Sequence, residues 1–304
     1  MNPERGNGWI HFLLVLLVLS WGAAYPIVKY LLRWLSPLEL VLARFWIFLP
    51  LLVFMLVRWR RSIAQQLRMH PWRSLALALL GVPGYHIMLN LGTRALMADP
   101  ESAGSAAMMS SILVGSVPAW TALFARLAGQ ENLSKLQWLG QALCMAGVVA
   151  LATRGDLTSL HFSMGALLVL GAPLSWGLYS VVAKRVFDSA DSSLPITVFI
   201  LAAGTVITSF FTPPPIFGHL AEMPPGAWTA LAFIGLVSTL AGYLIWSVAV
   251  RRLGANRPSV YIYFIPVASL AMSALTLGER LGPSTAMGGV LILTGVFLIR
   301  RRKA

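Results

Sequence analysis

The sequence predicts an all-α membrane protein, with ten transmembrane helices forming two inverted five-helix repeats around a central cavity. Three observations carry that prediction. Of the 304 residues 58% are hydrophobic and only 11% charged, against about 25% charged in an ordinary soluble domain. Apolar runs of about 20 residues, the length that spans a bilayer, follow one another along the whole chain. The chain also repeats itself, because Ser20-Trp21-Gly22 and Lys29 return as Ser175-Trp176-Gly177 and Lys184, at an offset of 155.

Ten runs follow from the apolar pattern: 10–32, 37–57, 73–97, 103–127, 134–153, 163–186, 195–212, 227–250, 258–277 and 283–299. Each must be helical, since a backbone amide inside lipid needs a partner within its own segment. The first run, Ile10 to Val28, is longer than the 7 to 15 residues of a signal-peptide core, so it reads as a retained helix. Proline, glycine and serine punctuate the connections, at Ser36-Pro37, Asp99-Pro100, Ser193 to Pro195, and from Pro213 to Pro225. Pro83, Pro118, Pro173 and Pro266 fall inside runs beside small residues, where helices bend.

Basic residues orient the chain. With the N-terminus in the cytoplasm, 17 Lys and Arg lie inside and five outside: Lys29, Arg33, Arg94, Arg154 and Arg280. Lys and Arg resist translocation, so both termini are expected to be cytoplasmic, in a multi-pass protein of a bacterial inner membrane. The net charge of +13 therefore reports topology and implies no nucleic-acid partner. The single Cys144 lies in an apolar run and excludes an intrachain disulfide.

The repeat continues past the first motif. Pro118 pairs with Pro266, Glu131 with Glu279, Leu133 with Leu281, Gly140 with Gly288 and Gly147 with Gly295, all at an offset of 148. The halves are thus 1–155 and 156–304, the second having lost seven residues in its middle. Five helices per half is an odd number, so the second copy enters the membrane from the opposite side. That plan recurs in secondary transporters, which hold substrate near the midplane between halves.

Candidate binding residues are the polar and aromatic groups inside the runs. Arg44 lies about 10 Å inside the second helix at 1.5 Å per residue, where a charge costs about 2.5 to 3.5 kcal/mol. It either anchors a carboxylate substrate or caps carbonyls and snorkels to the interface. His86, Asn90 and Arg94 recur every four residues, forming a polar stripe that either lines a cavity or bonds neighbouring helices. Of these, His86 and Asn90 are the candidates. Trp21, Tyr25, Trp176, Tyr179, Tyr243, Trp246 and Tyr263, with Tyr261, supply aromatic bodies with polar tips. The interfacial-anchor alternative is weakest for Trp21 and Trp176, about twelve residues into their helices. Glu131 and Glu279 precede helix N-termini, which the helix dipole explains without function.

No Walker loop, His-Glu-x-x-His motif or Gly-x-Ser-x-Gly elbow is present. Apart from Glu39 near a helix start, no carboxylate lies well inside a run, and His86 is the one mid-membrane group that titrates near neutrality.

These residues, Ser20-Trp21-Gly22 with Lys29, Pro37 to Arg44, Pro118, Gly129 to Leu133, Gly140 and Gly147, and their second copies, resemble the EamA-type ten-helix members of the drug/metabolite transporter superfamily. The resemblance covers nearly the whole chain. It implies a secondary transporter, chiefly an exporter of amino acids and other small metabolites by alternating access, with aromatic amino acids a possible subset. Its partners are then the substrate, membrane lipids and, where transport is coupled, a proton or another ion; no cofactor is implied. Two alternatives stay open. A membrane enzyme acting on a lipid-linked substrate needs clustered acid, base or metal residues, and His11, His70, His161 and His219 look isolated. A non-transporting scaffold needs no water-accessible interior.

Overall fold

The computed structural model describes residues 8–100, 102–152, 163–189, 192–212, 215–277 and 283–300, all of them helix, turn or loop. Arg5, Arg154, His161, Pro213, Pro214, Gly278 to Leu281, Arg301, Arg302 and Lys303 lie outside the described residues.

The first half holds α1 (Gly8–Leu31), α2 (Pro37–Trp46), α3 (Leu49–Met69), α4 (Pro71–Leu79), α5 (Tyr85–Ala98), α6 (Ala106–Val114), α7 (Val117–Leu127) and α8 (Lys135–Ala152). The second holds α9 (Met164–Asp188), α10 (Leu194–Ser209), α11 (Ile216–Ala221), α12 (Pro225–Ala232), α13 (Gly242–Leu253), α14 (Asn256–Ser259), α15 (Ile265–Leu277) and α16 (Pro283–Arg300). Among the described residues five continuous helices are long and apolar enough to cross a membrane: Gly8–Leu31, Pro71–Ala98, Ala106–Leu127, Met164–Asp188 and Pro225–Leu253. A sixth passes if α2 and α3, bent by 56°, form one span.

Local chemistry explains the boundaries. Ser36 and Glu39 close a capping box on α2, with Pro37 in the first turn, where its missing N–H is no loss. Gly254, at φ +86, ends α13 in a conformation open only to glycine. The run 37–57 departs from the expected single straight helix: it bends after Trp46, and α3 carries its basic face on to Met69. Between α4 and α5, Leu80–Gly84 widens to a π-helical turn around Pro83, and Phe233–Ala241 does the same between α12 and α13. At Leu80–Gly84 the cause is local, since Pro83 removes a backbone donor and clashes with the preceding turn; Phe233–Ala241 has no proline, and its Thr239 hydroxyl donates to the Ile234 carbonyl five residues back at 2.7 Å.

Both π stretches are stitched to the other half. Ser175 donates to the Leu80 carbonyl at 2.8 Å, and Tyr243 donates to the Gly81 carbonyl. Trp21 Nε1 donates to the Ser238 carbonyl at 2.8 Å, and the Ser238 hydroxyl donates to the Ser20 carbonyl at 3.2 Å. Inside lipid such carbonyls have no water to turn to, so these side chains make the interruptions tolerable.

Small residues set the closest helix contacts. On α8, a methyl added at Gly140 would lie 2.7 Å from the Gly295 carbonyl of α16, and one at Gly147 2.7 Å from that of Gly288. A methyl on Gly22 would strike Ala268 and Ser269 of α15, and one on Gly177 would meet Trp120 and Thr121 of α7. The contacts exchange under the repeat: the 155 and 148 offsets carry Gly22, Ala268 and Ser269 onto Gly177, Trp120 and Thr121. Close backbone approach of this kind replaces hydrophobic driving force, which is absent between helices in lipid.

A cavity lined by both halves

Arg44, on α2, is 4% exposed and His86, on α5, is also 4% exposed. Arg44 donates from one terminal nitrogen to His86 Nδ1 at 2.8 Å. Arginine has donors only, so Nδ1 must accept and a neutral imidazole carries its proton on Nε2. That nitrogen lies 3.3 Å from the Tyr243 hydroxyl, which in turn donates to the Gly81 carbonyl. The chain of bonds runs one way, from guanidinium to helix break. Arg44 Nε and its other terminal nitrogen have no protein partner.

These groups line a cavity with about 560 Å³ of atom-free space, its opening included. From the first half it is lined by Trp21, Ala24, Tyr25 and Val28 of α1, Arg44, then Tyr85, His86 and Leu89 of α5, with Val114 and Val117. From the second half come Trp176 of α9, Ser238 and Thr239 of the π stretch, Tyr243, Ile262 and Ile265.

Trp176, 3% exposed, is the hub of the aromatic wall. Its ring centroid is 5.6 Å from that of Trp21 in an edge-on arrangement. Tyr85 lies 5.0 Å away, Tyr179 5.1 Å, Tyr243 5.2 Å and Trp246 5.6 Å. Edge and offset contacts at such distances are worth about 0.5 to 1.5 kcal/mol each beyond area burial. Trp21 spends its indole N–H on Ser238, whereas the N–H groups of Trp176 and Trp246 and the Tyr179 hydroxyl have no partner.

Of the ten residues singled out from the sequence, Trp21, Tyr25, Arg44, His86, Trp176 and Tyr243 come together in the lining. Tyr179 and Trp246 stand behind it, packed on Trp176. Asn90 lies one turn further along α5 and donates to the Pro37 carbonyl at 3.2 Å. Tyr263 turns to the opposite side, donating to Gln141 of α8. Tyr85, Ser238 and Thr239 escaped the sequence reading. Tyr85 adjoins His86, and that adjacency of two polar-tipped rings was a usable signal.

The remaining polar residues have structural partners. Arg94 caps the Leu32 carbonyl at 2.6 Å, and Lys29 holds the Ala103 and Gly104 carbonyls at 2.8 and 2.9 Å. The histidines that look isolated in sequence are bonded: His11 to Tyr261 at 2.8 Å, His70 to Ser189 at 2.8 Å, and His219 to Glu39 at 2.9 Å. Glu131 accepts from the Asn256 amide at 3.2 Å, so it caps α14 and not its own neighbour α8. Lys184, Arg252 and Arg257 gather with Glu131 around a second cavity beside α1 and α15.

A largely apolar, pre-formed cavity with a few convergent donors, set within a bundle of apolar helices, is the architecture of a membrane carrier. Two segments, residues 8–153 and 163–301, match the model of the EamA-like transporter family, and the chain belongs to that family. Among similar proteins, an uncharacterized transporter of Bacillus subtilis is 26% identical over 90% of this chain and 88% of its own. A probable amino-acid metabolite efflux pump of Escherichia coli is 27% identical over 96% of both chains. A probable terminal-alkyne amino-acid exporter of Streptantibioticus cattleyicolor is 28% identical over 95% of this chain and 92% of its own. A solved crystal structure superposes with a TM-score of 0.70 at 18% identity, covering 97% of this chain and 96% of that one; it supports the fold alone.

Proposed function

We propose that the chain crosses the membrane ten times as two inverted five-helix halves, 1–155 and 156–304, with both termini cytoplasmic. We infer that it exports small organic metabolites, amino acids among them, by alternating access at the central cavity. The observation that carries this reading is a cavity lined from both halves, at the level where the two π stretches interrupt their helices. Broken helices at an interface between two repeats are a recurring way in which transporters build a substrate site, around which one repeat rocks against the other. The exchanged contacts of Gly22 and Gly177, and of Gly140 and Gly147, support two halves related by a pseudo-two-fold axis, which makes contacts reciprocal; the odd number of helices in each half is what inverts them. The names of the Escherichia coli and Streptantibioticus cattleyicolor relatives support export of amino-acid-like substrates.

Purified protein in proteoliposomes, offered a panel of radiolabelled amino acids, nucleobases and aromatic acids, tests the function. Movement of at least one compound well above empty vesicles is expected, and movement of none contradicts it. Fusions of a reporter active only in the cytoplasm test the topology, with signal expected from both termini and from the 58–73 segment.

A further inference from the structure

Among the described residues, the central cavity has spare donors on a buried charge and no anionic acceptor to meet them. On the donor side stand two nitrogens of Arg44 and the indole N–H of Trp176, all buried and without a protein partner. On the acceptor side, the carbonyls released at the helix breaks are already taken, Leu80 by Ser175, Gly81 by Tyr243 and Ser238 by Trp21. Among the described residues no carboxylate lines the cavity. Glu39, the acid nearest Arg44 in sequence, is committed to Ser36 and His219. Among the described residues the guanidinium charge therefore has no counter-ion.

Each of these facts bears on which ligand fits. A buried charge is stabilised only by a partner of opposite sign and by filled hydrogen bonds. The guanidinium fork matches a carboxylate in two parallel bonds. The walls around it, Trp21, Tyr85 and Trp176 with Val117 and Ile265, suit a flat apolar body. An α-ammonium group would enter a cavity that already holds one cation and meet no carboxylate there among the described residues, only neutral hydroxyl oxygens such as those of Tyr25, Tyr85 and Ser238. Aromatic faces attract cations, but here Arg44 repels a second positive charge across the same low-dielectric space.

We propose that this site binds organic monocarboxylates with an aromatic or apolar body and no free amino group, such as aryl-alkanoates, 2-oxo acids or N-acylated amino acids, with the carboxylate on Arg44. The proposal rests on the central cavity being the substrate site, and it sharpens the substrate class from amino acids in general to their deaminated or N-capped relatives.

Three ligands that share an indole ring separate the possibilities: 3-indolepropionate carries only the carboxylate, tryptophan adds the ammonium, and tryptamine has only the ammonium. Binding of each to the full chain in nanodiscs is measured by calorimetry. We expect 3-indolepropionate to bind at least about tenfold tighter than tryptophan, tenfold corresponding to 1.4 kcal/mol, with tryptamine weakest. Arg44→Gln should erase the difference. Equal or tighter binding of tryptophan or tryptamine overturns the proposal. The unmodified chain decides the question by itself, so a variant that fails to fold costs nothing. Transport is scored separately: if the anion binds as expected but nothing moves in proteoliposomes, the carrier reading fails and the site assignment stands. If metabolites move while tryptophan binds best, the reverse holds.

Discussion

The two halves share a plan but not a chemistry. In the first, the helices equivalent to α10 and to α12–α13 bring Arg44 and His86 to the cavity. In the second, α10 has no charged residue, and α12–α13 is charged only at Arg251 and Arg252, in its last turn. The second half instead contributes Trp176, Ser238, Thr239 and Tyr243. Trp21 and Trp176 make the divergence concrete, since the 155-residue offset pairs them in sequence and both line the cavity, yet one indole N–H is bonded to a helix break and the other is buried without a partner. Where the halves agree, at the glycine contacts, the residues hold the bundle together. Where they differ, they define what the cavity accepts.

Perturbing the shared residues should act on folding, and perturbing the divergent ones on binding. On folding the largest effect is expected at the glycine seam. Gly147→Val places methyls against the Gly288 carbonyl and Ile292, where backbone must shift. Overpacking costs about 1 to 3 kcal/mol or more, so folded protein in the membrane should fall severalfold, read by size-exclusion chromatography of a fluorescent fusion. Unchanged yield and melting temperature would remove the seam from the account.

On transport the largest effect is expected from Arg44→Met. It deletes a buried charge that has no counter-ion among the described residues, so the melting temperature should hold or rise while transport falls by more than about 100-fold, as expected when two charge-assisted bonds of about 1.5 to 3 kcal/mol each are lost. A protein that unfolds but transports normally before it does so would reverse this assignment.

His86→Ala should lower transport by about tenfold with little loss of folded protein, since His86 orients Arg44 through one bond. A collapse in protein level with normal specific activity would make it a packing residue.

The smallest effect separates the paired tryptophans. Trp21→Phe removes the cap on Ser238 and should destabilise by about 1 kcal/mol. Trp176→Phe loses no protein hydrogen bond and should change ligand affinity more than thermal stability. Identical behaviour of the two variants would dissolve the distinction between them.

The all-helical fold was legible in the sequence, because a backbone inside lipid must satisfy its hydrogen bonds within its own segment. The site was legible in part. His86, Asn90 and Arg94 do share a face, but each step of four residues also climbs about 6 Å along the axis. Only His86 is level with the cavity; Asn90 reaches Pro37 and Arg94 reaches Leu32. Tyr263 was hidden for another reason. Val260–Phe264 winds as a 3-10 helix, whose residues step by about 120° and not 100°, so Ile262 faces the cavity and Tyr263 faces Gln141. No α-helical spacing rule could have placed it. The partnership of Glu39 with His219, 180 residues apart, is likewise a product of packing alone.

The central claim is that this cavity opens to both sides of the membrane in turn. Ala24 lines it and tolerates a cysteine by size, and the chain's one natural cysteine, Cys144, is buried. Ala24→Cys in oriented membrane vesicles should react with a charged, membrane-impermeant maleimide from the cytoplasmic face and from the opposite face, each reaction slowed by bound substrate. Labelling from neither side, or from one side only under every condition, would contradict alternating access at this site.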